Sequence, residues 1–245
     1  MNIEYFMYIL YPMNIIQTHI PPQTPGMVSI LMPIYNGIEF IEESVSSVLK
    51  QTVDHWELLI GINGHAENSA VYHIAKSYEL VSDKIRVFDL HKIRGKPDAL
   101  NELVKHATYK HIALLDVDDI WSHMKLEKQI PYIIEGYDVV GSRCIYFGEE
   151  RFNGIIPNTP VGDISTIDFF AGNPIINSSV IIRREHAYWE NEVLEDYDLW
   201  LSLRRDRRRF FNCSQVLVKH RIHAESAFNS KGNANHVPRL LQKYI

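Results

Sequence analysis

Between Val28 and Val140, short apolar runs alternate with segments of helical periodicity, and this alternation restricts the fold more than any other feature of the chain. Val28 to Met32 is an apolar run stopped by Pro33 and the turn residues Asn36-Gly37, as a buried strand would be. Ile38, Ile41, Val45, Val48 and Leu49 then recur at helical spacing, with Glu42 and Glu43 on the other face. The pattern repeats. Strands are expected at Glu57 to Ile62, Ile85 to Phe88, His111 to Leu115 and near Tyr137 to Val140. The helices between them are marked by Ala70, Ile74, Ala75 and Tyr78, by Leu100, Leu103, Val104 and Ala107, and by Leu126, Ile130, Ile133 and Ile134. Apolar strands separated by amphipathic helices imply an α/β fold with a parallel sheet covered on both faces.

Such sheets bind ligands beyond the strand C-termini. The residues that follow the first four strands therefore belong on one rim: Pro33 to Asn36, Asn63 to His65, His91 to Lys96, and Asp116 to Asp119. The first strand is not followed by G-x-G-x-x-G, and G-x-x-x-x-G-K-[ST] occurs nowhere, which disfavours dinucleotide-binding Rossmann domains and P-loop NTPases. After Gly141 the pattern weakens. Ser179 to Arg183 and Val216 to Lys219 read as strands, and Gly148 to Pro160, with Gly154, Pro157 and Pro160, as a loop placed to gate a site.

The chain has 245 residues, enough for one domain at about 100–200 residues each. Residues 27–245 are read as that domain and residues 1–26, which end in Pro21, Pro22, Pro25 and Gly26, as an extension. With 25 Lys and Arg against 30 Asp and Glu the net charge is −5, so a nucleic-acid partner is disfavoured. Cys144 and Cys213 are too few for a disulfide framework and fit a reducing compartment. The first basic residue is Lys50, and Pro12 and Asn14 interrupt the apolar stretch Phe6 to Ile16. No export signal or membrane span is expected, and the location expected is cytoplasmic.

Asp116, Asp118 and Asp119 directly follow an apolar strand, and carboxylates so placed repel one another unless protonated or bridged by a cation. Oxygen donors suit Mg²⁺ or Mn²⁺, ions that recruit substrate phosphates. The plainer alternative is a helix cap at Asp119 with the other two carboxylates solvated. For Tyr35 the alternatives are stacking on a nucleobase or ordinary packing, and for Lys96 a ligand contact or a solvated charge opposing a helix dipole. Glu195, Asp196 and Asp198 read by themselves first as N-terminal helix charge, with acidic chemistry as the alternative. The arginines of 204–209 read as a solvated helix end.

The stretches V-S-I-L-M-P-I-Y-N, W-E-L-L-I-G-I-N-G-H, G-K-P-D-A-L-N and I-A-L-L-D-V-D-D-I-W, followed by L-E-D-Y-D-L-W at Leu194 to Trp200 and by Arg221-Ile222-His223, resemble the family-2 glycosyltransferases of GT-A fold. The resemblance runs in order from about Val28 to Ser226. It implies a Rossmann-like, mostly parallel central sheet flanked by helices. A nucleotide-binding half would span about 27–120 and a C-terminal acceptor-binding half about 121–245. It also implies an inverting, metal-dependent transfer of sugar from a nucleotide-sugar donor, UDP-linked, to an acceptor hydroxyl in glycan biosynthesis. Asp196 would be the general base. Pro33, Tyr35, Asn36, Asn63, Arg94, Lys96 and Asp116 would bind the donor, Asp118 and His223 the Mn²⁺ or Mg²⁺, and Trp121, Glu195 and Trp200 the acceptor side. Asn63 stands where many relatives carry the second Asp of a D-D-G-S loop, and Ile62 replaces the first. An apolar strand followed by D-x-D also resembles the aspartyl-phosphate phosphohydrolases of haloacid dehalogenase type, with Asp116 as nucleophile. A non-catalytic nucleotide-sugar binder is a third reading.

Overall fold

The computed structural model describes residues 26–223 and 233–245. Apart from Gly26, the expected N-terminal extension lies outside the described residues. The strands are β1 (Val28–Ile34), β2 (Trp56–Asn63), β3 (Ile85–Leu90), β4 (His111–Leu114), β5 (Ile120–Trp121), β6 (Val139–Gly148), β7 (Gly162–Asp163), β8 (Ile181–Arg183) and β9 (Phe210–Ile222). The helices are α1 (Ile41–Leu49), α2 (Ala70–Lys76), α3 (Lys96–His106), α4 (Lys125–Glu135), α5 (Glu195–Arg205) and α6 (Asn233–Gln242).

All the strands belong to one sheet in the order β3-β2-β1-β4-β8-β6-β9-β5, with β7 also paired to β9. β1, β2, β3 and β4 pair in parallel. β8 runs against both β4 and β6, which restores the original direction to β6 and to its parallel neighbour β9. The long strands thus share one direction, and their C-termini reach one edge of the sheet. Only the short strands β5, β7 and β8 oppose them.

Alternation along β1 shows how the sheet divides the core. Val28, Ile30, Met32 and Ile34 face Val45 and Val48 of α1, Ala75 of α2, and Leu126 and Ile133 of α4. Leu31 points the other way, into a cluster with Leu100 and Leu103 of α3, Tyr197, Trp200 and Leu203 of α5, and Leu240 of α6. Side chains two residues apart on a strand share a face, so consecutive residues of one apolar run supply both layers. Gly61 lets α3 close onto β2: a β-carbon there would lie 2.8 Å from Leu90 and 3.1 Å from Leu103. That contact holds the first turn of α3, and with it Lys96, at the sheet's edge.

The late strands differ from their sequence reading. β6 continues past Val140 to Gly148, and β9 extends well beyond Val216 to Lys219 at both ends. Polar residues interrupt both apolar runs, but the two strands pair along their whole length around a bulge near Ser142–Arg143. β8 is shorter than expected because Asn177–Ser179 forms a 3-10 turn. Among the described residues, no helix is long and apolar enough to cross a membrane.

Lys125 is fully buried, its Nζ 2.7 Å from Gln129 Oε1 and 4.0 Å from the centre of the Trp121 ring. Burial pushes its pKa down to about 7, from an ordinary 10.5. Between those values the unfolded chain holds a proton that the folded chain has released, so this residue makes stability rise with pH. The difference in stability between Lys125→Met and the parent is expected to favour the variant most at pH 7 and below. It should shrink toward pH 10, as read from denaturant midpoints across that range. A difference independent of pH would show that the buried amine does not titrate there.

Candidate active site

Two cavities open at the edge where the long strands end. The first, about 520 Å³, lies between the ends of β1, β2 and β4 and the start of α3, and its lining includes Pro33, Tyr35, Asn36, Asn63, Arg94, Lys96, Asp116, Asp118, His220 and His223. The second, about 530 Å³, lies between the start of α5 and the loops around Pro157–Pro160 and Gly172–Asn177. Lys96, Asp116 and His220 line both, so the cavities are two lobes of one cleft.

In the first lobe Tyr35 is 57% exposed beside the turn at Gly64. Gly64 has φ +75°, and a β-carbon there would come within 2.6 Å of the Tyr35 ring, so glycine satisfies both the turn and the ring's position. Asn63 is 2% exposed at the end of β2, and its Oδ1 is buried without a hydrogen-bond partner among the described residues. Arg94 and Asn36 are exposed on the rim.

The boundary between the lobes is an ion-pair network. Lys96 Nζ lies 2.6 Å from Asp116 Oδ1 and 3.7 Å from Glu195 Oε1. Burial works against the ammonium, but the carboxylates of Asp116 and Glu195 outweigh it and hold its pKa above the ordinary range. Burial likewise opposes ionisation of Asp116. Lys96 and the amide of Asn177 overcome that and keep this carboxyl below its usual value. Asp116 Oδ2 accepts from Asn177 Nδ2 at 3.2 Å and from Ser178 Oγ at 3.3 Å.

Asp118 is left less well compensated. Burial, then repulsion from Asp119 and Asp116, raises its pKa, and His223 Nε2 lies 3.0 Å from its Oδ2. Asp119 does not cap a helix. Fully buried, it accepts from the Arg221 backbone N–H at 2.9 Å and meets His220 Nδ1 at 3.0 Å, tying the end of β9 to the strand that follows the acidic turn. Arg221 donates from Nε to the Asp118 carbonyl at 2.9 Å, with its guanidinium 4.3 Å from the ring centres of Phe40 and Phe147.

In the second lobe Glu195 and Asp196 open α5. Burial pushes the Glu195 carboxyl up to about 7 despite Lys96, and burial also raises Asp196. Two residues expected on the acceptor side are not there. Trp121 is 3% exposed and Trp200 0%, one in each layer of the core, and neither lines a lobe of the cleft. The same large apolar surface that suggests a sugar platform gains more by burial against the sheet.

Sequence reasoning missed His220, Asn173, Asn177 and Ser178. For His220 a signal existed, because it sits three residues before His223 in the same K-H-R-I-H run. The other three lie in a stretch without periodicity, and only the fold brings them to the acidic residues.

Burial lowers the pKa of His220, but its attraction to Asp119 prevails and brings it up to about 9. A raised pKa of this kind stabilises the fold fully below about pH 6.5, and the contribution is lost as pH rises through about 9. Urea melts of His220→Gln are therefore expected to show their largest deficit against the parent near pH 6 and convergence above pH 9. A deficit that grew with pH would show that the His220–Asp119 pair is not an ion pair.

A family model described as glycosyl transferase family 2 matches residues 29–191. UDP-Glc:alpha-D-GlcNAc-diphosphoundecaprenol beta-1,3-glucosyltransferase WfgD of Escherichia coli is 30% identical over 220 residues, 84% of this chain and 81% of that protein. Among solved structures, S. aureus TarS 1–349 in complex with UDP-GlcNAc superposes with a TM-score of 0.71 at 15% identity, covering 89% of this chain and 66% of that one. The mannosyltransferase PcManGT from Pyrobaculum calidifontis, in complex with GDP-Man and Mn²⁺, gives 0.63 at 14% identity, covering 89% and 68%. The sheet described above is thus of the GT-A type. With the model covering two thirds of its length and a relative aligned along most of it, this chain belongs to glycosyl transferase family 2.

Proposed function

We propose that this nucleotide-sugar-dependent glycosyltransferase is an inverting enzyme that takes a UDP-linked sugar in the first lobe and transfers it to a glycan hydroxyl held in the second, with Asp196 as general base. The observation that carries this reading is the junction of the lobes. Asp116 and Lys96 form a shared wall, and Asp196 lies on the acceptor side of it.

Tyr35 offers an exposed aromatic face for a base, and Asn63 an amide whose Oδ1 accepts the N–H of a uracil edge while its NH₂ donates to a carbonyl. The WfgD name specifies a UDP-Glc donor, in keeping with that choice. Arg94 is an exposed cation on the donor rim, where diphosphate charge would be drawn. The acceptor lobe mixes amides and hydroxyls, such as Asn158, Thr159 and Tyr146, with apolar groups such as Ile175 and Val193, a lining that suits a sugar ring.

Transfer forms a bond from the acceptor oxygen to the anomeric carbon and breaks the bond from that carbon to the diphosphate, whose oxygen leaves with the electron pair. Asp196 takes the proton that the acceptor hydroxyl loses. Lys96 keeps Asp116 ionised on the donor side and faces Glu195 and Asp196 on the other, so its charge offsets the acidic cluster on both sides of the reacting centre.

The donor set also fits a divalent cation. Among the described residues no three acidic, His or Cys side chains converge as a closed metal site. Asp118 and His223 do adjoin, in a place where neighbouring carboxylates already leave excess negative charge. Two protein donors suit Mn²⁺ or Mg²⁺, which fill their remaining positions with water and phosphate oxygen. When bound, such an ion supplies charge neutralisation for a diphosphate. The aspartyl-phosphate alternative loses its basis with the family assignment. A non-catalytic binder would bind donor without turnover.

Thermal-shift screening of nucleoside diphosphates and their sugars, with and without Mn²⁺, is expected to show UDP stabilisation that requires the metal and disappears in Asp118→Asn. Asp196→Asn should keep that shift and lose about 10²–10⁴-fold in UDP release. The parent's turnover should fall as pH is lowered into the range where the raised carboxyls of Glu195 and Asp196 take up protons. Metal-independent UDP binding, or full turnover by Asp196→Asn, would refute the corresponding part.

A further inference from the structure

Asp196 is gripped from outside its own helix by one side chain among the described residues. Asn173 lies in the segment between the 3-10 turns Phe169–Ala171 and Asn177–Ser179 and lines the acceptor lobe. Both ends of its amide are engaged. Its Oδ1 accepts from the Ile175 backbone N–H at 3.1 Å, and its Nδ2 donates to Asp196 Oδ2 at 3.1 Å. A backbone N–H can only donate, so the atom facing it must be the oxygen, and the NH₂ is presented to the carboxylate. The first bond therefore determines the polarity of the second.

The segment that carries Asn173 is itself anchored. Asn212 of β9, fully buried, donates from Nδ2 to the Pro174 carbonyl at 2.9 Å and to the Pro160 carbonyl at 2.8 Å. One amide in the sheet thus fastens two loops that wall the acceptor lobe, and one of them delivers the group that holds Asp196. Around this carboxylate stand Lys96 of α3, Asp116 beyond β4 and Glu195 on its own helix, and the Tyr197 backbone N–H donates to it from within that helix. Charges at that range set its electrostatic environment without orienting it. The amide does both, because it donates to one named oxygen.

We propose that Asn173 is a positioning residue for the transfer reaction: its locked amide holds Asp196 by Oδ2 and so fixes the orientation in which the carboxylate takes the acceptor's proton. This rests on the assignment of Asp196 as the base. The logic is that of a general base oriented by a third group, here a neutral donor. A donor to the carboxylate favours its charged form, so removing the amide must make Asp196 easier to protonate as well as less firmly oriented.

The test compares full-length Asn173→Ala, Asn173→Asp and Asp196→Asn with the parent. The Asp196 carboxyl is followed by ¹³C NMR titration, assigned by its loss in Asp196→Asn, and UDP release from UDP-glucose is measured in parallel. In Asn173→Ala the Asp196 titration should move to higher pH. Its kcat should fall by up to about a hundredfold, the scale expected of a misplaced catalytic group, with the donor KM, the UDP-induced thermal shift and the melting temperature retained. Asn173→Asp sets a like charge against Asp196 and should move the titration further. An unchanged Asp196 titration in Asn173→Ala overturns the proposal, as does a loss confined to melting temperature or donor KM. An inactive Asp196→Asn beside a fully active Asn173→Ala overturns the Asn173 role alone. An active Asp196→Asn overturns the base assignment and this proposal with it.

Discussion

Asp116, Asp118, Glu195 and Asp196 line one cleft of an acidic chain, with Asp119 buried beside it, and the surrounding structure is largely a means of compensating them unequally. Asp119 is paired with His220 and a backbone N–H and serves to pin β9. Asp116 is paired with Lys96 and two side-chain donors and stays ionised. Asp118, Glu195 and Asp196 keep raised pKa values. Carboxylates with raised pKa values in a cleft are candidates for chemistry or for holding a cation.

This unequal compensation depends on strand direction. Had β8 not reversed the path between β4 and β6, β6 and β9 would run the other way and deliver His220 and His223 to the opposite edge. The short antiparallel strands are therefore what let residues more than a hundred positions apart form one ion-pair cluster. The energetic basis of the arrangement is ordinary burial on both faces of the sheet, with α3 fitted closely over Gly61 so that Lys96 reaches the junction.

The solved relatives share this architecture at low sequence identity, which shows a fold and leaves chemistry to the residues. Here those residues form a series along the cleft, from the exposed Tyr35 in the first lobe, through Lys96 at the junction, to Asp196 beside the amide of Asn173 in the second.

Much of the N-terminal half was legible in the chain itself. Each of β1 to β4 is a local apolar run ended by turn residues, and period-two alternation and breakers are local properties. The rim positions Tyr35, Asn63, Lys96 and Asp116 followed from those ends, and the acidic runs at Asp116–Asp119 and Glu195–Asp198 could be seen without coordinates. The extent of β6 and β9, the burial of Trp121 and Trp200, the pairing of Lys96 with Asp116 and Glu195, and the grip of Asn173 on Asp196 were decided only by the tertiary structure. Strand length depends on a partner's register, and a tryptophan's fate on the space left by neighbouring layers. A carboxylate's protonation depends on which cation lies within a few ångströms. These are distances across the fold, and no property of neighbours in sequence encodes them.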